Sequence, residues 1–269
     1  MSDWLVRRDA SRIMRRAGMP PDRWQSTLLR RRPHRALVNT TRQSGKSTSC
    51  AAMGLHRAHT EPHSTIVAVS PTQRQSALLV AKVRLFAQAL GIELVRDNAL
   101  SLRLANGSEV YALPGHPDTV RGYSPNLLLI DEAAYTSDAL YTACLPMLAA
   151  TNGDLVAIST PNGQQGWFWQ EWSGRGARGW HKVEVPYTEI SRITPEFIVG
   201  QKASMSRERF AAEYECQFNS STFGLFNAGD LAAAMQRRPV EAEGGLPDAR
   251  EIIARNRARF TGQEQGATA

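Results

Sequence analysis

In the stretch Asn39-Thr40-Thr41-Arg42-Gln43-Ser44-Gly45-Lys46-Ser47-Thr48, a glycine, an amine and two hydroxyls follow one another directly. They lie between the apolar run Ala36-Leu37-Val38 and a segment of helical composition, 48–59. Backbone N–H groups at a helix start bind anions, and glycine lets them approach without a Cβ in the way. An amine beside them neutralises phosphate oxygens, and a hydroxyl can ligate Mg²⁺. The expectation is a phosphate-binding loop made by Thr41, Arg42, Gln43, Ser44, Gly45, Lys46, Ser47 and Thr48, with ATP and Mg²⁺ as its cofactors. Thr40 stands where the general pattern places its first glycine. Gly-Lys-Ser alone is a weak signal; the strand before it and the helix after it carry the reading.

A second constellation strengthens it. Leu127-Leu128-Leu129-Ile130 is a continuous apolar run ending in Asp131-Glu132. A buried strand would carry Asp131 to the sheet edge where open α/β folds bind ligands. There Asp131 would orient the metal through its water shell, and Glu132 would polarise the attacking water as general base. Acidic residues complementing a helix dipole are the plainer alternative for this pair taken alone. A third strand ends in Ile158-Ser159-Thr160-Pro161-Asn162-Gly163. Hydroxyls at its tip, Ser159 and Thr160, suit sensing of the terminal phosphate, although Pro-Asn-Gly is also ordinary turn chemistry.

The elements that must position these groups follow from the apolar pattern. Strands are expected at 36–39, 64–69, 127–130, 155–159 and 181–185. Helices are expected at 48–59, 72–90 (ended by Gly91), 140–150 and 195–217. Short strands at 92–95, 100–104 and 109–113, separated by turn residues, predict a small antiparallel meander. Apolar strands alternating with helices predict a mostly parallel sheet covered on both faces. Residues 1–32 read as a basic helical segment or lid, broken at Met19-Pro20-Pro21, with Asp22 capping a helix to Arg31. Residues 33–226 would form the ATPase domain, and 227–269 a polar tail.

The 269 residues are 42% hydrophobic, enough for a sizeable core. Formal net charge is +7 and the isoelectric point about 9.7, which favours polyanionic partners. Mean hydropathy is −0.36, and no run approaches the roughly 18 apolar residues of a membrane span. Cys50, Cys144 and Cys216 are too dispersed for a metal or disulfide framework and read as buried small hydrophobes.

Taken together, TTRQSGKST (40–48), LLLIDEAAY (127–135) and ISTPNG (158–163) resemble, in order and spacing, the ATPase domain of the tailed-phage large terminase subunits. The resemblance covers roughly residues 20–226. It implies a P-loop NTPase fold of the ASCE/RecA-like kind. It also accommodates Thr40, because that family's loop commonly lacks the first glycine and carries Arg-Gln as Arg42-Gln43 do. It implies that Gln25, after Trp24, reads the adenine edge, against the plainer reading of a solvated helix glutamine. Ser159-Thr160 match the family's coupling motif. Arg121, ahead of the acidic strand, takes the role of an arginine finger reaching a neighbour's nucleotide; Arg42, acting within its own subunit, is the competing candidate. The segment Phe210–Phe218 resembles the stretch that closes the motor domain.

The implied activity is ATP hydrolysis coupled to movement of double-stranded DNA into a procapsid. The implied partners are the portal protein and the small terminase subunit. The working state would be a homo-oligomeric ring docked transiently on the portal in the host cytoplasm, with no membrane partner. Asp230, Glu241, Glu243, Asp248 and Glu251 lie in polar sequence without strands to position them, so no nuclease centre is expected in this chain. Arginines in 7–16 and 30–35, and the loop 174–182 with Arg175, Arg178 and Lys182, are candidate DNA-phosphate contacts. Two rival functions are a helicase-like nucleic-acid ATPase and a DNA-end-binding assembly ATPase that does not translocate.

Overall fold

A computed structural model of the chain describes residues 3–174 and 179–220. Three helices come first: α1 (Asp3–Arg8), α2 (Ser11–Arg16) and α3 (Arg23–Arg31). The alternating part follows as β1 (Arg35–Thr40), α4 (Lys46–Thr60), β2 (Thr65–Ser70) and α5 (Gln73–Leu90). Next come β3 (Leu94–Asp97), β4 (Ser101–Leu104), β5 (Glu109–Pro114) and the short α6 (Pro117–Val120). The chain continues through β6 (Leu127–Asp131), α7 (Asp138–Cys144), β7 (Asp154–Ser159), α8 (Gly166–Trp172) and β8 (His181–Val185). It closes with α9 (Pro195–Ser204) and α10 (Arg207–Glu215).

The eight strands form one sheet in the order β3-β4-β5-β2-β6-β7-β1-β8. From β5 to β8 every pairing is parallel. The expected meander is present, with β3–β4 and β4–β5 antiparallel, but it is not separate. Its last strand pairs with β2 and so extends the central sheet.

The parallel strands are buried on both faces, which is why they read as unbroken apolar runs rather than alternating ones. Ile66, Ala68, Leu127 and Leu129 pack toward α4 and α5, together with Leu55 and Phe86. Val67, Val69, Leu128 and Ile130 pack the other way, onto α7 and α8 through Leu140, Cys144 and Phe168. Successive side chains of a strand point to opposite faces, so the same alternation decides where each strand-end residue aims. Val6, Ile13, Met14, Trp24, Leu28 and Leu29 belong to the core on the α4 side, so the N-terminal helices fold with the sheet. All three cysteines are free and buried; burial pushes the Cys144 and Cys216 thiols up to about 12.

Two helix expectations need correction. The helix expected over 140–150 is α-helical only to Cys144 and continues as a 3₁₀ turn, Leu145–Leu148. Pro146 has no N–H to donate and cannot sustain the α-helical ladder. The helix expected over 195–217 is two: the chain breaks at Met205, and Ser206 starts α10 by accepting from the Arg209 N–H at 3.2 Å. Helix α8 has no counterpart among the sequence-based expectations; its Trp167 stacks on Tyr141 with ring centroids 4.0 Å apart. The tail 227–269 and its five acidic residues lie outside the described residues, as do Arg175 and Arg178. Among the described residues no helix is long and apolar enough to cross a membrane.

Candidate active site

Strand β1 delivers the glycine loop to the C-terminal edge of the sheet. Thr40 is its last strand residue, which leaves no need for glycine there. The loop then turns through two left-handed residues, Gln43 at φ +59° and Gly45 at φ +87°. Gly45 starts α4, and a Cβ there would lie 2.7 Å from Gln25 Nε2, so the position is closed to other residues on both counts. The hydroxyls of Thr40 and Ser44 are buried without a hydrogen-bond partner. Buried polar groups are normally satisfied, so such a pair in a loop built for anions fits a phosphate-bearing ligand.

The acidic strand β6 is separated from β1 by β7. That order places Ser159 and Thr160 between the glycine loop and Asp131-Glu132. Asp131 is almost fully buried; burial pushes its carboxyl above the ordinary carboxylate range, and a hydrogen bond from Ser47 partly offsets this. Glu132 takes the left-handed conformation, φ +54°, uncommon outside glycine and costly unless the surroundings enforce it. Its carboxylate lies 3.4 Å from Lys46 Nζ and accepts from Ser159 Oγ at 3.5 Å. Lys46 is itself buried. A cavity of about 440 Å³ is lined by Arg42, Lys46, Glu132, Tyr135, Thr160 and Glu213, with Pro71, Thr72 and Gln75 opposite. Ser47 and Asp131, already hydrogen-bonded, form the donor set that would hold Mg²⁺, an ion that keeps most of its water shell and needs few protein ligands.

On the other side of Gly45 lies a second cavity, of about 390 Å³, lined by Met14, Met19, Pro20, Gln25, Gln43, Gly45, Thr48 and Arg192. Gln25 is buried and hydrogen-bonded at both ends of its amide. Its Oε1 accepts from Asp22 N at 2.8 Å, completing the cap of α3. Its Nε2 donates to Ser49 Oγ at 3.0 Å and to Gly45 O at 3.3 Å. It is not a solvated helix residue: it lines this cavity and braces the glycine loop.

Arg121 stands apart from both cavities. It is exposed, 3.7 Å from Asp118, and borders a third depression with Tyr123 and Met147. Arg42 instead sits on the wall of the Lys46–Glu132 cavity and pairs with Glu213 of α10 at 3.4 Å. The backbone repeats that tie, because Arg42 N donates to Glu213 O at 2.8 Å. Thr41 faces the same helix, with Oγ1 donating to Glu213 O at 3.2 Å. Several candidate DNA contacts have internal partners: Arg30 with Asp9, Arg32 with Glu61, and Lys182 with the Trp172 carbonyl.

The family model described as terminase large subunit, T4likevirus-type, N-terminal, matches residues 37–233. The chain belongs to this terminase family. Among curated relatives, the terminase large subunit of Thermus virus P23-45 is 25% identical over 276 residues, spanning 88% of this chain and 56% of that protein. That of Thermus phage G20c matches with the same identity and coverage. The chain thus spans about half the length of the curated terminases it matches. The large terminase ATPase domain of Thermus phage P74-26 superposes with a TM-score of 0.68 at 21% identity, over 78% of this chain and 99% of that one. The large terminase of a thermophilic bacteriophage, solved in complex with ADP, gives 0.65 at 10% identity, over 74% of this chain and 54% of that one. Those likenesses establish the mostly parallel P-loop NTPase fold for this terminase chain.

Glu213, Tyr135 and Arg192 were given no role on sequence grounds. The first two lie inside segments singled out for other reasons, FAAEYECQF and LLLIDEAAY. Arg192, in the loop between β8 and α9, carries no local signal at all.

Proposed function

We propose that this chain is the ATP-hydrolysing motor part of a viral DNA-packaging machine, driving double-stranded DNA into a procapsid. One observation carries the reading: Lys46, Glu132 and Thr160 line a single cavity beside a glycine-started helix, and the Ser47–Asp131 pair joins Lys46 and Glu132 there. The thermophilic-phage terminase solved with ADP and again with ATP-γ-S supports a nucleotide as the ligand of this fold.

The roles follow from the geometry. The α4 amides and Lys46 would hold the phosphates. A γ-phosphate would draw the Lys46 ammonium away from Glu132 and leave that carboxylate to take a proton from the attacking water. Mg²⁺, held by Ser47 and through water by Asp131, would neutralise charge on the β- and γ-oxygens. Thr160, on the cavity wall, and Ser159, bonded to Glu132, would register loss of the γ-phosphate. Arg121, exposed, would act as an arginine finger on a neighbour's site within a ring of subunits; Arg42, on the wall of the Lys46–Glu132 cavity, is the competing candidate acting on its own site. DNA would be gripped through its phosphates, as a motor indifferent to sequence requires. The portal and small terminase subunit would dock the ring on the procapsid in the host cytoplasm.

Lys46→Ala is expected to abolish ATP turnover and packaging into procapsids; near-normal hydrolysis would remove the basis of the proposal. Mixing Arg121→Ala with Glu132→Ala subunits is expected to restore part of the activity, and verified mixed rings without rescue would exclude Arg121 as a finger acting across subunits. ATPase stimulated by single strands but not duplex would favour a helicase-like role. Hydrolysis that never packages DNA would favour an assembly ATPase.

A further inference from the structure

Among the described residues, the cavity on the far side of Gly45 from Lys46 and Glu132 is lined by one cation, Arg192. We propose that Arg192 grips the part of the nucleotide that ADP and ATP share, the nucleoside and its first phosphate. The proposal rests on the glycine loop being a nucleotide site.

Position is the first support. Arg192 lines the same cavity as Gly45 and Thr48, where the helix start turns away from the catalytic carboxylates. Its Nη2 would lie only 3.7 Å from a Cβ on Gly45, so the guanidinium sits directly against the loop. Chemistry is the second. Guanidinium carries several N–H donors in one fixed plane, with faces that stack on aromatic rings. Here Nη1 donates to Asp22 Oδ2 at 2.6 Å and Nη2 to Ser44 O at 3.2 Å. Those contacts leave donors unspent on a half-exposed side chain.

Gln25, the other polar group of this cavity placed against Gly45, has both ends of its amide committed within the chain. Arg192 is therefore the charged group on this wall, with N–H donors left for a ligand. Pre-organisation is the third support. Asp22 has only 7% of its side chain exposed and also caps α3, so the carboxylate that aims Arg192 is rigidly held. A side chain already fixed loses little freedom on binding. The loop 186–194 thereby joins α3 and the glycine loop in one base-side wall.

The test is calorimetric titration of the full chain with ADP and, separately, with ATP-γ-S. Arg192→Ala is expected to weaken both ligands by the same factor, about ten-fold, the worth of one charge-assisted contact. Arg192→Lys keeps charge and reach without the plane and is expected to recover part of that loss. Arg42→Ala, on the γ-phosphate side, is expected to weaken ATP-γ-S more than ADP. Unchanged ADP affinity in a folded Arg192→Ala protein, or a loss confined to ATP-γ-S, overturns the proposal. Should the alanine variant fail to fold, Arg192→Lys with wild-type affinity for both ligands overturns it as well. Failure of the underlying reading looks different: the unmodified chain would bind neither ligand, or Lys46→Ala would bind both as well as wild type.

Discussion

The two cavities flanking Gly45 are close in size, about 440 and 390 Å³, yet they are built from opposite materials. The catalytic side is charged: Arg42, Lys46, Glu132 and Glu213 face it, the first from the loop after β1, the second from the start of α4, the third from just past β6 and the last from α10. The other cavity is walled by Met14, Met19, Pro20, Gln25 and Arg192, from the N-terminal segment and the β8–α9 loop, and by Gln43, Gly45 and Thr48. One half is organised to neutralise and move charge. The other mixes apolar residues with the polar Gln25, Gln43, Thr48 and Arg192. Gly45, hard against Gln25, lines the second, and the next residue, Lys46, lines the first.

The division can be broken from the catalytic side first. Glu132→Gln keeps size and hydrogen bonding but cannot take a proton. It is expected to leave ADP and ATP-γ-S affinity near wild type and to lower turnover by about 10²–10⁴-fold, the usual worth of a positioned general base. Steady-state hydrolysis with parallel calorimetry checks this, and loss of binding would mean Glu132 holds structure rather than performing chemistry.

Gly45→Ala attacks the partition itself. A left-handed φ and a Cβ at 2.7 Å from Gln25 Nε2 predict about 1–3 kcal/mol of lost stability, with binding lost on both sides. Thermal melts would show it; an unshifted midpoint would mean that the loop relaxes freely and the two cavities are not rigidly separated.

The smallest expected effect is a pH dependence confined to the catalytic side. Asp131 is held above the ordinary carboxylate range by burial. For folding alone, the native carboxyl keeps its proton to higher pH than the unfolded one. This group therefore lowers stability as pH rises from the unfolded value through the folded one. Metal binding runs the opposite way, because the ion needs the ionised form. Apparent Mg²⁺ affinity is expected to fall on acidification at a pH still above the usual carboxylate range, whereas metal-free ADP binding stays flat across that window. Mg²⁺ titrations at stepped pH would show the difference, and Asp131→Asn is expected to remove the slope.

The same contrast explains what could be read from the chain before its fold. The catalytic half lies in three contiguous motifs, because each group sits at or just past the end of a strand whose apolar run announces it. Ile130 leads to Asp131, Ile158 to Ser159, and Val38 to the loop. The parallel core was legible for the same reason. The base half is assembled across long separations. Arg192 meets Asp22 and Ser44 only in three dimensions; the Asp22–Gln25 spacing suits a capping box, but the brace Gln25 gives the glycine loop shows only in the fold. Helices were misjudged where local chemistry overrode composition: Pro146 forces a tighter turn, Ser206 restarts a helix at Met205, and the aromatic α8 is held by stacking on Tyr141.

Asp22 and Gln25 also change what trimming this protein would do. Shortening the chain to begin at Pro33 would keep the glycine loop, the acidic strand end and the Ser159–Thr160 strand tip, which all lie downstream. It would nevertheless take away Gln25 beside Gly45, the counter-ion of Arg192, and Met14, Met19 and Pro20 from the wall of the cavity they line. A truncated protein could keep Lys46 and Glu132 in place and still fail to retain its fuel, so an inactive fragment of that kind would say nothing against the catalytic residues.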